Sequence, residues 1–497
     1  MPPVSEERSA REVGLKQKAR FGVTALAIRS VLQNLVVLGA NVFLARRLDP
    51  GDYGIFGILH FAMSFFRLIS DTGLGAALVQ KKEAPEEAEL STLWWFQLAL
   101  GLTLVGLSFG AVPFLRRIWP SLPAGSEWLL PGLTLSLAFS MLQSVPFLIL
   151  EREVRFGWVG TLEFLGTLTF YTTAVLLALR GAGAAALVWA TVGQAALVCV
   201  MAHFVQPWRP KLVFRFEKIR ALLRFGSALQ GTQLVGYVNG AVTPVLVGAR
   251  LGKDAVGILQ FAENTAWFPS QLVGVVRRVY FPYLCRLQGN PEAFAREFGV
   301  AIQLSAIPTF FFFGLFAGTA PALISIIYGA KWLVSLPALY VYSFGFCFNF
   351  ISWIGDAALA ALGDARRLLR ICLFAALLNW GATLLSTAIS STPFAFSCGY
   401  LLHLIFSPLA MYAAIRSRLP LLRLFPKLRG LMLAAAVVTG LGRLALPHIS
   451  GVPSLIVWVL IAALTFATVT CSVDRELRSA AQQLLNGWRR KLRLSAL

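Results

Sequence analysis

The sequence is poor in charge, in acid and in paired cysteine, and each shortage removes a class of protein. Only 13% of its 497 residues are Asp, Glu, Lys or Arg, about half the share expected of a soluble globular domain. Mean hydropathy is +0.71 and 57% of residues are apolar, more than an aqueous fold could hide in its core. The six cysteines (Cys199, Cys285, Cys347, Cys372, Cys398, Cys471) form no close pair and no C-x-x-C, which excludes a disulfide-built secreted scaffold. The four histidines (His60, His203, His403, His448) are scattered without metal-ligand spacing, so neither a metal centre nor another cofactor is expected. Acids number 23 against 44 bases, a formal net charge of +21. Those bases interrupt long apolar runs instead of clustering on a polar surface, which disfavours a nucleic-acid binder. What remains is an all-α polytopic membrane protein.

A helix crosses the bilayer with roughly 20 apolar residues. About fourteen such runs occur, over residues 22–44, 55–79, 91–115, 128–150, 159–179, 183–205, 226–248, 256–282, 299–321, 333–357, 369–390, 394–415, 430–447 and 452–472. The first is longer than the apolar core of a signal peptide and is interrupted by Arg29, so it is expected to be retained. Alternating the connections between two sides puts 31 of the 44 bases on one side, 8 on the other and 5 within spans. Bases are retained on the cytoplasmic side, so both termini are expected there. Two basic segments outside the spans have helical apolar spacing. In the tail, Leu477, Ala481, Leu484, Trp488 and Leu492 share a face, and Lys211 to Arg224 is similar. Both are expected to lie on the membrane as amphipathic helices.

An internal repeat organises the chain. Ala45-Arg46-Arg47-Leu48-Asp49-Pro50-Gly51-Asp52-Tyr53-Gly54-Ile55 aligns with Gly248-Ala249-Arg250-Leu251-Gly252-Lys253-Asp254-Ala255-Val256-Gly257-Ile258 at a separation of 203. Arg20-Phe21-Gly22 and Arg224-Phe225-Gly226 match at 204. The helices therefore repeat as six plus six, and an even number per repeat relates the halves by a pseudo-two-fold axis along the membrane normal. The expected organisation is a cytoplasmic N-terminal segment (1–21), an N-lobe of helices one to six (22–205), a cytoplasmic linker (206–225), a C-lobe of helices seven to twelve (226–415), two extra C-terminal helices (416–472) and a basic amphipathic cytoplasmic tail (473–497).

Ionisable groups within spans are costly and mark cavities or partners. His60, Ser64, Arg67 and Asp71 follow i, i+4, i+7, i+11 in the second span, and Gln260, Glu263, Asn264, Trp267, Gln271 and Arg278 are read as the polar face of the eighth. The repeat carries His60 onto Glu263 and Ser64 onto Trp267. Arg29, Glu163, Gln233, Tyr237 and Asp356 add polar positions in the first, fifth, seventh and tenth spans. Blander roles compete at several of these. Arg67 and Asp71 suit a structural ion pair, Arg277 and Arg278 can reach lipid headgroups from the end of their span, and Glu163 and Glu263 fit either ion coupling or a protonated, hydrogen-bonded state. Enzyme signatures are weak. Gly248 to Asp254 superficially looks like a phosphate loop, but it is one residue short and ends in Asp.

The stretch Ala45 to Gly57 followed by Asp71-Thr72-Gly73-Leu74-Gly75-Ala76-Ala77-Leu78-Val79-Gln80 resembles the exporters that flip lipid-linked oligosaccharides. So do Glu151-Arg152-Glu153-Val154-Arg155-Phe156, Trp208-Arg209-Pro210-Lys211-Leu212, Arg224-Phe225-Gly226 and Phe281-Pro282-Tyr283-Leu284. Across residues 20–415 the chain is similar to the Wzx-type flippases of the multidrug/oligosaccharidyl-lipid/polysaccharide exporter superfamily. That resemblance implies alternating access without ATP hydrolysis, a polyprenyl-pyrophosphate-linked oligosaccharide as substrate, and a place in the bacterial inner membrane serving O-antigen, exopolysaccharide or capsule assembly. Membrane lipids, a glycan polymerase and other polysaccharide-assembly proteins are the partners it implies. Phe66-Arg67-Leu68 is similar to a cavity-lining pattern of the related lipid II flippases. Where similar proteins carry an acid near the end of the seventh span, this chain has Thr243-Pro244. In this reading Arg29, Arg67, Arg277 and Arg278 attract the pyrophosphate, while Gln233, Tyr237, Asn264 and Trp267 hold the sugar. Asp71, Glu163, Glu263 and Asp356 complete the pathway. A cation-coupled multidrug exporter and a membrane-embedded assembly enzyme are the alternatives.

Overall fold

Inside a bilayer every backbone N–H and C=O must be satisfied within the protein, which leaves the helix as the spanning element for a chain patterned like this one. The computed structural model describes residues 36–71, 85–153, 155–217, 234–419, 424–474, 477–479 and 482. Arg29, Gln233 and most of the expected tail helix lie outside the described residues. Within them the main helices are α1 (Pro50–Ser70), α2 (Glu87–Ile118), α3 (Leu129–Leu142), α4 (Ser144–Arg152), α5 (Phe156–Leu179), α6 (Ala184–Val205), α7 (Gly252–Trp267), α8 (Ser270–Arg286), α9 (Pro291–Ile327), α10 (Leu336–Phe346), α11 (Phe350–Ala361), α12 (Ala365–Ile389), α13 (Pro393–Arg416), α14 (Phe425–Ala445) and α15 (Val452–Val473).

Eleven helical stretches among the described residues are long and apolar enough to cross a membrane. They coincide with eleven of the expected spans, α3 with α4 and α10 with α11 each forming one stretch. The first and seventh expected spans lie partly outside the described residues. The eighth is divided into α7 and α8 by a turn at Phe268 and Pro269, where proline has no N–H to continue the ladder.

Two compact units emerge from the contacts. One takes the described residues of Met1–Leu48, Ser70–Gly110 and Trp128–Gly226, the other those of Asp49–Ile69, Ala111–Glu127 and Ser227–Leu497. In the first unit α5 and α6 run side by side, joined by a tight turn in which Gly181 and Gly183 take positive φ of 76° and 53°, a conformation glycine adopts without penalty. Leu150, Leu162, Val198 and Ala202 form one apolar centre, and Leu90, Leu93, Val145 and Leu148 a second.

The second unit is organised around α1 and α7, the helices that carry the sequence repeat. A methyl group on Gly54 would overlap the carbonyl oxygen of Lys253, and one on Gly257 would overlap that of Pro50. These pairs exchange under the 203-residue offset, so the two helices cross on a local pseudo-dyad. Gly51 lies against Lys253 and Asp254, and Gly57 against the Gln260 side chain. The repeated glycine pair, Gly54 and Gly257, is therefore where the two backbones touch, whereas Gly248 and Gly252 of the phosphate-loop-like stretch lie against the side chains of Trp119 and Ser121.

A second small-residue contact attaches the additional helices. Gly318 meets Gly442 backbone to backbone, and Gly314 lies under Ala435, so α14 packs along α9. Asp474, just past α15, accepts a hydrogen bond from Gln303 of α9 at 2.6 Å. Sequence punctuates these long elements cleanly. Asn290 caps α9 by accepting from Ala293 N–H at 3.0 Å, with Pro291 in the first turn, and Thr392 does the same for α13.

Gly54→Ala or Gly257→Ala should lower the thermal stability of the detergent-solubilised protein by about 1–3 kcal/mol, the usual cost of overpacking. Gly106→Ala, where nothing lies within 4 Å, should be neutral or slightly stabilising. Outside the membrane-spanning segments, Arg418 donates to Asp364 at 2.9 Å, and that hydrogen bond holds the Asp364 carboxyl below its ordinary value of 3.8. A depressed carboxyl stabilises the fold above its unfolded pKa, about 4, and the gain disappears as pH falls through the folded value. Arg418→Gln should therefore lower Tm at pH 7, with the gap to the parent closing below about pH 4.

Candidate functional site

The polar stripe of α1 follows from its helical phase. Ile55, Ile58, Leu59, Met63 and Phe66 are buried, while His60 and Arg67 are exposed on the opposite side with Ser64 half-buried between them. Ser64 folds its hydroxyl back onto the His60 carbonyl at 2.8 Å. Asp71 follows the end of α1 and is exposed. Phe61, beside the stripe, stacks on Tyr237 with centroids 4.9 Å apart and planes 11° from parallel; Tyr237 belongs to the helical stretch 234–250 before α7, the described part of the seventh expected span and here called the seventh helix. One sequence-derived candidate is thereby placed against the helix that carries three others.

The polar residues of α7 do not share one face. Glu263 turns inward and accepts a hydrogen bond from Tyr400 of α13 at 3.3 Å, with no ion-pair partner among the described residues. Tyr400 in turn meets the fully buried Tyr342 ring at 5.5 Å. Trp267 also packs inward, edge-on to Phe346 at 5.1 Å and Trp353 at 4.9 Å. Asn264 and Gln271 remain exposed, and so do Arg277 and Arg278 on α8. Asp356 of α11 is half-buried within electrostatic reach of Arg277. Glu163 belongs to the first unit, where its side chain is exposed and its carbonyl accepts from the Thr167 hydroxyl at 2.9 Å. Among the described residues, no group of three or more His, Cys, Asp and Glu side chains could hold a metal ion.

Several side chains that organise the site carry no signal in spacing. Around Thr243 and Pro244 the seventh helix widens into a π-helical turn over Val242–Val247. Acceptors in this turn and in the helical turn before it are taken by other elements. Trp119 Nε1 donates to Pro244 O at 2.7 Å, Trp380 Nε1 to Val238 O at 2.8 Å, and Asn379 Nδ2 to Asn239 Oδ1 at 3.0 Å. Farther along, Arg250 donates to Thr387 at 3.0 Å. Each partner is ordinary on its own helix; only the fold brings it to the seventh.

At the end of the second unit where α1 begins, the contacts are reciprocal. The turn after α9 serves the start of α1, through Lys331 paired with Asp49 at 3.3 Å and Tyr53 edge-on to Trp332 at 5.5 Å. The turn after α2 serves the start of α7, where Ser121 Oγ accepts from Lys253 N–H at 3.1 Å, and Trp119 reaches Pro244. Arg116 and Glu127 flank that turn as an ion pair at 3.8 Å. This end is clasped twice, once by each half of the repeat.

Comparison with known proteins agrees with the architecture. The family model described as polysaccharide biosynthesis protein matches residues 43–337. The succinoglycan biosynthesis transport protein ExoT of Rhizobium meliloti (strain 1021) is 26% identical over 349 residues, 68% of this chain and 66% of its own length. The lipopolysaccharide biosynthesis protein WzxC of Escherichia coli (strain K12) is 24% identical over 334 residues, 66% of each chain. The chain thus spans slightly under two thirds of the length of these relatives. Among solved structures, the lipid II flippase MurJ in an inward closed conformation has the same fold, with a TM-score of 0.72 at 15% identity over 93% of this chain and 99% of that one.

The clamp on the seventh helix can be weighed directly. Asn379 is fully buried, so Asn379→Leu should strand the Asn239 amide and lower stability by about 1 kcal/mol. Melting curves of the purified protein would show it, with the exposed Leu377→Ala as an unaffected control.

Proposed function

Because this chain belongs to the polysaccharide biosynthesis protein family, we propose that it flips polyprenyl-pyrophosphate-linked oligosaccharide from the inner to the outer leaflet of the bacterial cytoplasmic membrane. It is a transporter, not an enzyme, and works by alternating access without ATP hydrolysis. The product would feed O-antigen, exopolysaccharide or capsule assembly, where a glycan polymerase and other assembly proteins would consume it. The observation that carries this reading is the meeting of α1 and α7, equivalent helices of the two repeats, on a glycine dyad that is clasped at one end and followed by a polar stripe. With both termini cytoplasmic, the clasped end faces outward and the stripe lies toward the cytoplasm, on the side where substrate is made.

The chemistry follows from the cost of moving a charged headgroup through hydrocarbon, which leaves its polar groups unsatisfied. Arg67, Arg277 and Arg278 extend exposed guanidiniums from helices of the second unit, and a guanidinium remains charged and offers paired donors to phosphate. Arg29, Gln233, Asp71 and Glu163 belong to the same proposed pathway. Tyr237 and Asn264 suit a sugar, one by stacking and the other through its amide. Trp267, Glu263 and Asp356 support the wall behind them. The polyprenyl tail stays in lipid at a lateral opening, and the outward end releases the headgroup when the two clasps part.

Deleting the gene should make lipid-linked oligosaccharide accumulate on the cytoplasmic leaflet, and a normally inserted Arg67→Ala protein should restore less than about a tenth of surface polymer, as expected for a lost charge-assisted contact. A thiol cross-linker joining the double variant Asp49→Cys, Lys331→Cys should block recovery until it is cleaved. No accumulation after deletion would refute the reading.

A further inference from the structure

Between α6 and the seventh helix, the amphipathic helix expected over Lys211 to Arg224 does not form over its first five residues: 211–215 are non-helical, helix starts at Phe216, and residues 218–224 lie outside the described residues. Residues 207–211 and 213–215 have no regular secondary structure. Two tight turns fold the segment, in which Trp208 N–H bonds to Gln206 O at 2.7 Å and Val213 N–H to Lys211 O at 2.7 Å. The cause is competition for backbone groups. Trp95 Nε1 donates to Lys211 O at 2.9 Å, Ser91 Oγ accepts from Lys211 N–H at 3.1 Å, and Thr92 Oγ1 accepts from Arg215 N–H at 3.0 Å. Lys211 also pairs with Glu87. With those groups committed to α2, no helix can begin at Lys211.

The ties also set the depth of the segment. Ser91, Thr92 and Trp95 lie within the first turns of α2, about 6–12 Å along the axis from its start at a rise of 1.5 Å per residue. Trp94 and Trp208 pack against the apolar cluster at this level, and tryptophans gather where hydrocarbon meets water. Here the strap leaves Leu212 90% exposed, Phe214 57% and Phe216 48%. Arg209 and Arg215 are exposed beside them.

We propose that residues 206–215 form a non-helical strap that, with the first helical residue Phe216 after it, inserts into the bilayer surface, with Leu212, Phe214 and Phe216 entering the acyl boundary and Arg209 and Arg215 meeting lipid phosphate. The bilayer is the occupant because the strap is held at headgroup depth by its ties to a spanning helix. Apolar tips flanked by bases match an acyl chain beneath a phosphate. The turn at Leu212 makes that side chain the deepest point, while Val213, half-buried, faces the protein.

The test uses the full chain with its native cysteines replaced by serine and a single nitroxide label at each position from 208 to 216. The protein is reconstituted in mixed phosphatidylglycerol and phosphatidylcholine bilayers. Power-saturation spectra should give Leu212 and Phe214 high collision rates with oxygen and low rates with a water-soluble nickel chelate, an oxygen-to-nickel ratio at least tenfold above that at Arg209. Val213 should be shielded from both. Nickel access at Leu212 would place the strap in water, and shielding of Leu212 from both reagents would place it beneath protein. A 3.6-residue period would restore the helix. Each of these three results overturns the proposal.

Discussion

The second unit depends on one contact, the crossing of α1 and α7 at Gly54 and Gly257. In a membrane, helices gain little from burying apolar side chains, because lipid is as apolar as leucine. Close backbone approach therefore has to supply the attraction, through dispersion and weak Cα–H···O contacts. Glycine is the residue that permits it, and the chain places one wherever the two backbones meet. With α1 fixed against α7, the rest of the arrangement follows. Phe61 comes to lie on Tyr237, the two turns reach across to opposite partners, and the buried side of α1 leaves its polar stripe on the other.

The same geometry clarifies the basic residues on the sparsely charged side. Of the eight assigned there, Arg116 pairs with Glu127, Lys253 with Asp254, Lys331 with Asp49, and Arg250 bonds to Thr387. Bases that serve local contacts say little about orientation. The same holds on the richly charged side, where Arg155 pairs with Glu153, Lys211 with Glu87, Arg296 with Glu297 and Arg418 with Asp364.

Helix positions and the phase of the α1 stripe were legible in the sequence because each depends on near-neighbour periodicity. Partner choice was not. Nothing in the spacing of α13 assigns Tyr400 to Glu263, and nothing near Pro244 points to Trp119, which lies 125 positions away. Periodicity also overreached on α7, where Glu263 and Asn264 were grouped although adjacent helical residues lie about 100° apart. Over residues 211–215 it failed because Ser91, Thr92 and Trp95 outbid the local ladder. The repeated glycines were visible from the start, but their purpose as a backbone contact became clear only with both copies placed face to face.

The widened turn of the seventh helix has a consequence for motion. The Pro244 carbonyl within it is held by Trp119 beyond α2, and the Val238 carbonyl just before it by Trp380 of α12. If the helix swings away from either, a carbonyl is left facing hydrocarbon, at a cost of several kcal/mol. Only water can take the place of the lost donor. Rearrangement of this helix and hydration of the surrounding space are therefore a single event, so any conformer that bends there is also a wet one.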